Sequence, residues 1–202
     1  MSHRSPPSVF ETWSEASSRM FTSAMKANRA AITAFGVPAD GAGDDAATPD
    51  AEDRLDPGED LPEWTVEVAV DGEPRVGDTV RFTKTLSEDD VDRFAAASGD
   101  TNPIHLDEEW AGETRFGGRI VHGTLAAGLI SAALARLPGS VVYLSQDLEF
   151  RAPVRIGDRV TAEVTVVEAL GDDRYRLRTP VEGEDDRIID GEAVVLIDEA
   201  PA

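Results

Sequence analysis

The stretch Gly123-Thr-Leu-Ala-Ala-Gly-Leu-Ile-Ser-Ala-Ala-Leu-Ala-Arg136 carries no charge before its last residue. Pro138 and Gly139 follow it, which is typical of the end of a helix. A helix that is apolar on all sides must be covered on nearly every side. We therefore expect this helix to be enclosed by the other elements of its own domain.

Strand-like runs lie before and after this helix, each with alternating apolar and polar residues. They cover residues 65–70, 79–86, 141–150, 159–170, 174–181 and 187–197. Glycine and aspartate separate the later runs, as in antiparallel hairpins, and a capping-box sequence at residues 87–90 predicts a short helix. The sequence therefore predicts an α+β protein, with one antiparallel sheet wrapped around a central buried helix.

Two segments of different composition precede this domain. Apolar side chains in residues 8–36 recur at three- and four-residue steps, which predicts an amphipathic helix within residues 1–36. It would pack on its own domain or a sister subunit, or dock a protein partner or a storage granule. Residues 37–63 are rich in acidic residues and poor in large aliphatics, which predicts an acidic disordered linker. The folded domain would then span residues 64–198.

The composition limits the partners and the location of the protein. Asp and Glu number 40 against 19 Lys and Arg, for a net charge of −21, so the surface repels nucleic acid. Dense carboxylates with only two lysines are typical of a halophilic protein, because concentrated salt screens the self-repulsion. The absence of cysteine excludes disulfides and thiolate metal sites. We expect a cytoplasmic protein with no signal peptide and no membrane span.

A second informative stretch is Ser98-Gly-Asp-Thr-Asn-Pro-Ile-His105. Pro103 disfavours helical geometry at Asn102, so we expect an irregular loop here, with the Asn102 amide bonding within it. Such a loop could bring the Asp100 carboxylate and the His105 imidazole to one water molecule. An acid and a base that share a water suit the addition or removal of water. The same composition also occurs in loops that only turn the chain.

The start of the central helix is the other candidate site. Its first amides lack helical partners and favour negative charge, and Gly123 would let a ligand approach the backbone. The Gly123 amide could then hold an oxygen that gains charge in a reaction. Ser131 lies on about the same face, roughly 10.5 Å further along the axis, and either lines the site or bonds back to the Ala127 carbonyl. For His122 we expect a role in shaping the helix entrance.

The motif Phe94-Ala-Ala-Ala-Ser-Gly-Asp-Thr-Asn-Pro-Ile-His105, with Ala111 six residues beyond the histidine, resembles the hydratase 2 motif of MaoC-like dehydratases. The resemblance is greatest to the (R)-specific enoyl-CoA hydratases. It continues through residues 120–125, 129–131, 143–150, 153–154 and 157–158, and covers roughly residues 76–197. Ala97 departs from the motif, which usually has a larger aliphatic there.

The resemblance implies a hot-dog fold, a homodimer, and reversible syn hydration of a trans-2-enoyl-CoA to the (R)-3-hydroxyacyl-CoA. No metal or other cofactor is implied, since coenzyme A is part of the substrate. Asp100 and His105 would activate the water and exchange the proton at C2, with their acid and base roles open. The Gly123 amide would polarise the thioester carbonyl, and Ser131 would line or support the site. Residues 107–118 would cover the pocket and limit acyl length.

Coenzyme A is polyanionic whereas this chain is strongly acidic, so binding requires a local basic patch. We expect the substrate to contact Arg115, Arg119, Arg151 and Arg155, together with Asn102. The leading hypothesis is an (R)-specific enoyl-CoA hydratase that feeds polyhydroxyalkanoate synthesis from fatty-acid oxidation. One alternative is a dehydratase of another acyl thioester, including one on a carrier protein. The other is a hot-dog binding module that is recruited through residues 8–36.

Overall fold

The computed structural model describes residues 59–199. The predicted helix 8–36 and residues 37–58 of the predicted linker lie outside the described residues. Near the end of that linker, Asp60 pairs with Arg136 at 2.8 Å and accepts a hydrogen bond from Trp64 Nε1 at 3.3 Å. These contacts attach Asp60 to the domain.

Seven strands of residues 59–199 form one antiparallel sheet. They are β1 (Trp64–Ala69), β2 (Thr79–Thr85), β3 (Ser140–Phe150), β4 (Arg159–Gly171), β5 (Arg174–Arg178), β6 (Val181–Glu182) and β7 (Arg187–Asp198). The order across the sheet is β1-β2-β4-β5-β7-β3, and β6 pairs with both β4 and β7. The run predicted at 174–181 divides into β5 and β6 because Pro180 has no amide for the ladder. All the other predicted strands form within a residue or two of their expected ends.

The hairpin between β4 and β5 shows how local sequence sets the strand connections. Gly171, Asp172 and Asp173 all have positive φ, at 81°, 51° and 56°. Tight hairpin turns need such left-handed residues, and glycine and aspartate adopt them more readily than most. The predicted turn is therefore confirmed at this position.

In the part of the chain that the structure describes, four helices accompany the sheet, namely α1 (Glu88–Ser98), α2 (Pro103–Leu106), α3 (Glu108–Gly112) and α4 (Gly123–Leu134). The capping box predicted for α1 is present, since Ser87 Oγ accepts from the Asp90 amide at 3.2 Å and Asp90 Oδ2 accepts from the Ser87 amide at 2.9 Å. Gly99 ends α1 in the left-handed conformation, with φ 76°. Within residues 59–199, none of the helices is long and apolar enough to cross a membrane.

The prediction of an irregular loop through residue 105 is wrong for its second half, where α2 forms a single turn. Pro103 occupies the first position of this helix, where a missing amide costs no hydrogen bond. The Asn102 side chain accepts from the Ile104 amide at 3.2 Å and caps the turn. His105 is therefore held on a short helix rather than on a loop.

Helix α4 packs against β2, β4 and β6 and forms the centre of the hydrophobic core. Its inner face buries Ala126, Leu129, Ile130, Ala133 and Leu134. The outer face, with Thr124, Gly128, Ser131 and Ala135, is exposed. Residues 59–199 thus cover the helix on the sheet side, and the cover expected on nearly every side is not made by these residues.

Candidate active site

The structure brings Asp100 and His105 together at the junction between α1 and α2. A carboxylate oxygen of Asp100 and one ring nitrogen each of His105 and His122 all lie within 4.8 Å of one another. Three such ligand atoms would also suit a metal ion, although each histidine already uses one ring nitrogen in a hydrogen bond to a carbonyl. The expectation of a reaction without a metal stays a prediction.

His105 is buried, with 8% of its surface exposed. Its Nδ1 lies 2.8 Å from the Ile120 carbonyl oxygen. Because a carbonyl can only accept a hydrogen bond, Nδ1 carries the proton, and Nε2 of the neutral ring keeps its lone pair. The side chain also lines a pocket. An imidazole in this state is equipped to take a proton from a water molecule and to return it.

Asp100 has an exposed side chain on a tightly bonded turn. Its Oδ1 accepts from the Asn102 amide at 3.3 Å, and its own amide donates to Ser98 Oγ at 3.2 Å. Its main-chain carbonyl accepts from His122 Nε2 at 3.0 Å. The carboxylate thus lies beside the imidazole and is open to a ligand.

His122 is fully buried beside this pair. Its ring stacks on that of His105, with centroids 3.9 Å apart and planes inclined by 29°. Phe94 contacts the same ring at 4.9 Å between centroids. The sequence indicated only that His122 stands at the helix entrance, where it is the N-cap residue of α4 without a side-chain capping bond.

A pocket of about 270 Å³ lies between His105 and the first turn of α4. Its walls are largely apolar and include Phe116, Ile120, Val121, Ala126, Phe150 and Ile188. Gly123 lies on the same wall, and a Cβ added there would be 2.9 Å from Phe150 Cε1. A glycine is thus needed for the close approach of Phe150 to the helix start.

Two of the four arginines expected to bind substrate line this pocket, namely Arg115 and Arg151. Arg115 lies over the Phe116 ring, 4.8 Å from its centroid. Arg151 is half exposed and pairs with Glu149 at 2.7 Å and with Asp190 at 3.0 Å. The Arg187 hydrogen bond, together with Arg151, holds the pKa of the Asp190 carboxyl below its usual value.

The other two arginines hold the segment that follows α3. Arg155 donates to the carbonyl oxygens of Phe116 and Gly118. Arg119 bonds to Glu88 and pairs with Glu108 at 3.4 Å, and only 16% of its side chain is exposed. The hydrogen bond to Glu88 raises the pKa of the Arg119 guanidinium above its ordinary value, against the effect of burial. Neither arginine lines the pocket in the described structure.

The family model for the MaoC like domain matches residues 71–186, more than half of the chain. This chain belongs to the MaoC-like family. A 3-hydroxybutyryl-CoA dehydratase of Methylorubrum extorquens is 50% identical over 125 residues, which cover 60% of this chain and 80% of the relative. An (R)-specific enoyl-CoA hydratase of Rhodospirillum rubrum is 46% identical over 124 residues, covering 60% of this chain and 86% of the relative.

Solved structures show the same family relationship. The unliganded (R)-hydratase of Pseudomonas aeruginosa matches with TM-score 0.60 at 39% identity, covering 67% of this chain and 89% of that one. The (R)-hydratase of A. caviae, described as involved in PHA biosynthesis, matches with TM-score 0.59 at 38% identity. The match covers 65% of this chain and 100% of that one. The MaoC-like chain therefore has the predicted hot-dog fold.

Not every predicted residue of this MaoC-like protein reaches the pocket. Ser131 is on the exposed face of α4, and its hydroxyl has no hydrogen-bond partner within residues 59–199. The Asn102 side chain caps α2. Phe116 and Phe150, which the sequence analysis did not single out, do line the pocket. Their positions depend on the packing of distant segments, and the local sequence carries no signal for it.

Proposed function

We propose that this MaoC-like protein is an (R)-specific enoyl-CoA hydratase, which reversibly adds water to a trans-2-enoyl-CoA to give the (R)-3-hydroxyacyl-CoA. The observation that carries the proposal is that His105 and Gly123 line one largely apolar pocket, with the Asp100 carboxylate within 4.8 Å of a His105 ring nitrogen. The two relatives described above, named as a hydratase and a dehydratase of acyl-CoA thioesters, support it.

The reaction needs a water molecule held on one face of the C2–C3 double bond. The Asp100 carboxylate and His105 Nε2 hold this water between them. Its oxygen bonds to C3 as one of the two groups takes its proton, and a proton passes to C2 from the same side. The π bond is consumed, so the atoms of one water molecule are added syn. The reverse sequence removes water.

Negative charge develops on the thioester oxygen as C3 is attacked. The Gly123 amide is the first of α4, where backbone donors have no helical acceptor. A donor at this place stabilises an enolate-like oxygen, and the helix dipole adds to its effect. Arg115 and Arg151 are the cations at the pocket that the phosphates of coenzyme A would meet.

We also propose that the protein works as a homodimer. Strand β3 is an edge of the sheet, and it exposes Val142, Tyr143, Leu144 and Phe150. An edge strand that exposes large apolar side chains is a surface that a second copy would cover. Sedimentation at several protein concentrations tests this, and a monomer at micromolar concentration would contradict it.

The test of the activity is hydration of crotonyl-CoA by the full chain in high salt, followed by the loss of enoyl absorbance. We expect Asp100→Asn and His105→Gln each to lower kcat by about 10²–10⁴-fold, because each removes one of the two groups on the water. Circular dichroism serves as the control for folding. Full activity in either variant would remove that residue from the mechanism.

Two experiments distinguish the alternative functions, namely a comparison of substrates and a deletion of the N-terminal residues. A preference for carrier-bound 3-hydroxyacyl thioesters over coenzyme A thioesters would favour a dehydratase of carrier substrates. Supply of monomers for polyhydroxyalkanoate, and a granule or protein partner bound by residues 8–36, are further proposals. Loss of localisation on deleting residues 1–58, with unchanged hydration in vitro, would support a recruiting role for that segment.

A further inference from the structure

We propose that His122 is a positioning residue that ties the Asp100 turn and the His105 ring to the start of α4. This inference rests on the proposed hydration, because it assigns His122 a function in that site. His122 contacts both members of the pair, by a hydrogen bond to the main-chain carbonyl of Asp100 and by a ring stack on His105.

The hydrogen bond to Asp100 joins parts of the chain that are 22 positions apart. The other hydrogen bonds of Asp100 within residues 59–199 are local and reach only Ser98 and Asn102. Local bonds shape the turn, but they leave it free to move as a unit on the protein surface. The bond from His122 Nε2 to the Asp100 carbonyl fixes the turn against the buried interior.

The stack on His105 adds a second constraint. The bond from Nδ1 to the Ile120 carbonyl holds one atom of the His105 ring but permits rotation about the hydrogen-bond axis. A ring face 3.9 Å away, inclined by only 29°, restricts that rotation and so fixes where Nε2 points. Phe94 supports His122 from another direction, at 4.9 Å.

The hydrogen bonding of His122 itself favours this function over simple packing. Nε2 carries the proton because its partner is a carbonyl, while the buried Nδ1 has no hydrogen-bond partner within residues 59–199. A phenyl ring would fill the same space without an unpaired buried nitrogen. What a phenyl ring lacks is the donor to Asp100, so we infer that the donor is the reason for a histidine here.

The experiment compares two replacements in the full chain with crotonyl-CoA. His122→Phe keeps a flat ring and removes the donor, and we expect kcat to fall about 10–100-fold with KM within about twofold, as for a misplacement of up to about 1 Å. His122→Gln restores a donor at the place of Nε2 but not the ring that stacks on His105, so we expect kcat to recover in part, to a value between those of His122→Phe and wild type. An unchanged kcat in His122→Phe, or an equal loss in both variants, would overturn the inference.

A matched control separates positioning from loss of stability. Thr179→Val removes another fully buried polar group, which accepts from Gln146 Nε2 at 3.0 Å and does not line the pocket. We expect this variant to lower Tm with kcat unchanged. If His122→Phe behaves in the same way, His122 has only a structural role.

A spectroscopic measurement is independent of activity. Nitrogen-15 spectra of the imidazoles in the wild-type protein should show His122 protonated at Nε2 and His105 protonated at Nδ1. The opposite tautomer at His122 would refute the hydrogen bond from its Nε2 to the Asp100 carbonyl. A wild-type protein that does not hydrate crotonyl-CoA would instead refute the proposed function. The tautomer of His122 would still show whether the hydrogen bond to the Asp100 carbonyl exists.

Discussion

Replacing Gly123 by alanine should separate activity from stability. The added Cβ would lie 2.9 Å from Phe150 Cε1 and 3.2 Å from Cδ1. Since carbon atoms prefer separations of about 3.5–4.0 Å, either the ring or the helix start must shift by up to about 1 Å. Phe150 is 52% exposed, so its ring can swing outward. We therefore expect the free energy of unfolding to change by less than about 1 kcal/mol.

The same shift should be costly for the reaction, because the methyl group enters the pocket beside the amide that would hold the thioester oxygen. A misplacement of about 1 Å lowers rates by roughly 10², which corresponds to about 2.7 kcal/mol of activation free energy. The measurement is kcat/KM for crotonyl-CoA, together with urea unfolding. Gly128→Ala is the matched control, because a Cβ there meets no atom within 4 Å. Wild-type kcat/KM in Gly123→Ala, or an equal loss in the control, would refute the proposed place of the thioester.

Two further predictions concern charge. Replacing both Arg115 and Arg151 by glutamate should raise KM for crotonyl-CoA by about tenfold or more, with a smaller effect on kcat. The rise in KM should weaken as salt is added, because salt screens the charges. An unchanged KM would place the coenzyme elsewhere. Burial raises the pKa of Asp90, but hydrogen bonds from Ser87 and the Lys84 ammonium outweigh it, so the pKa lies below its usual value. A lowered pKa in the folded state contributes stability above the unfolded pKa and loses it as pH falls through the folded pKa. Asp90→Asn should therefore unfold at a lower urea concentration than wild type at pH 7, and the difference between the two midpoints should shrink below about pH 4. A difference that does not depend on pH would show that the charge of Asp90 does not contribute to stability.

Several features of the fold were predictable because they depend on residues that are close in the chain. The capping box of α1 lies within residues 87–90, and its left-handed end is at Gly99. The positive φ angles of Asp172 and Asp173 form a turn whose signal is equally local. The loop predicted at residues 98–105 was wrong in its second half, because Gly99 ends α1 and Pro103 begins a new helix four residues later.

The positions of the four arginines relative to the pocket could not be predicted from the local sequence. Four of them have the same charge and lie in the same part of the sequence, but two line the pocket and two do not. Arg119 is neutralised by Glu88, which is 31 positions away, and Arg155 reaches the Phe116 carbonyl 39 positions away. Composition predicts a basic patch, but contacts with residues distant in the chain decide which of its members line the pocket.

The sequence by itself determined the apolar helix, the strands on either side of it, and the five-residue separation of Asp100 and His105. Periodicity, capping and turn formation act over a few residues, so these features can be inferred from the chain alone. Only the tertiary structure decided the tautomer of His105, through Ile120 at 15 positions, and the burial of His122 between Phe94 and His105. Those contacts join segments that meet only when the core closes around α4, because the packing of the whole domain sets the distances between them.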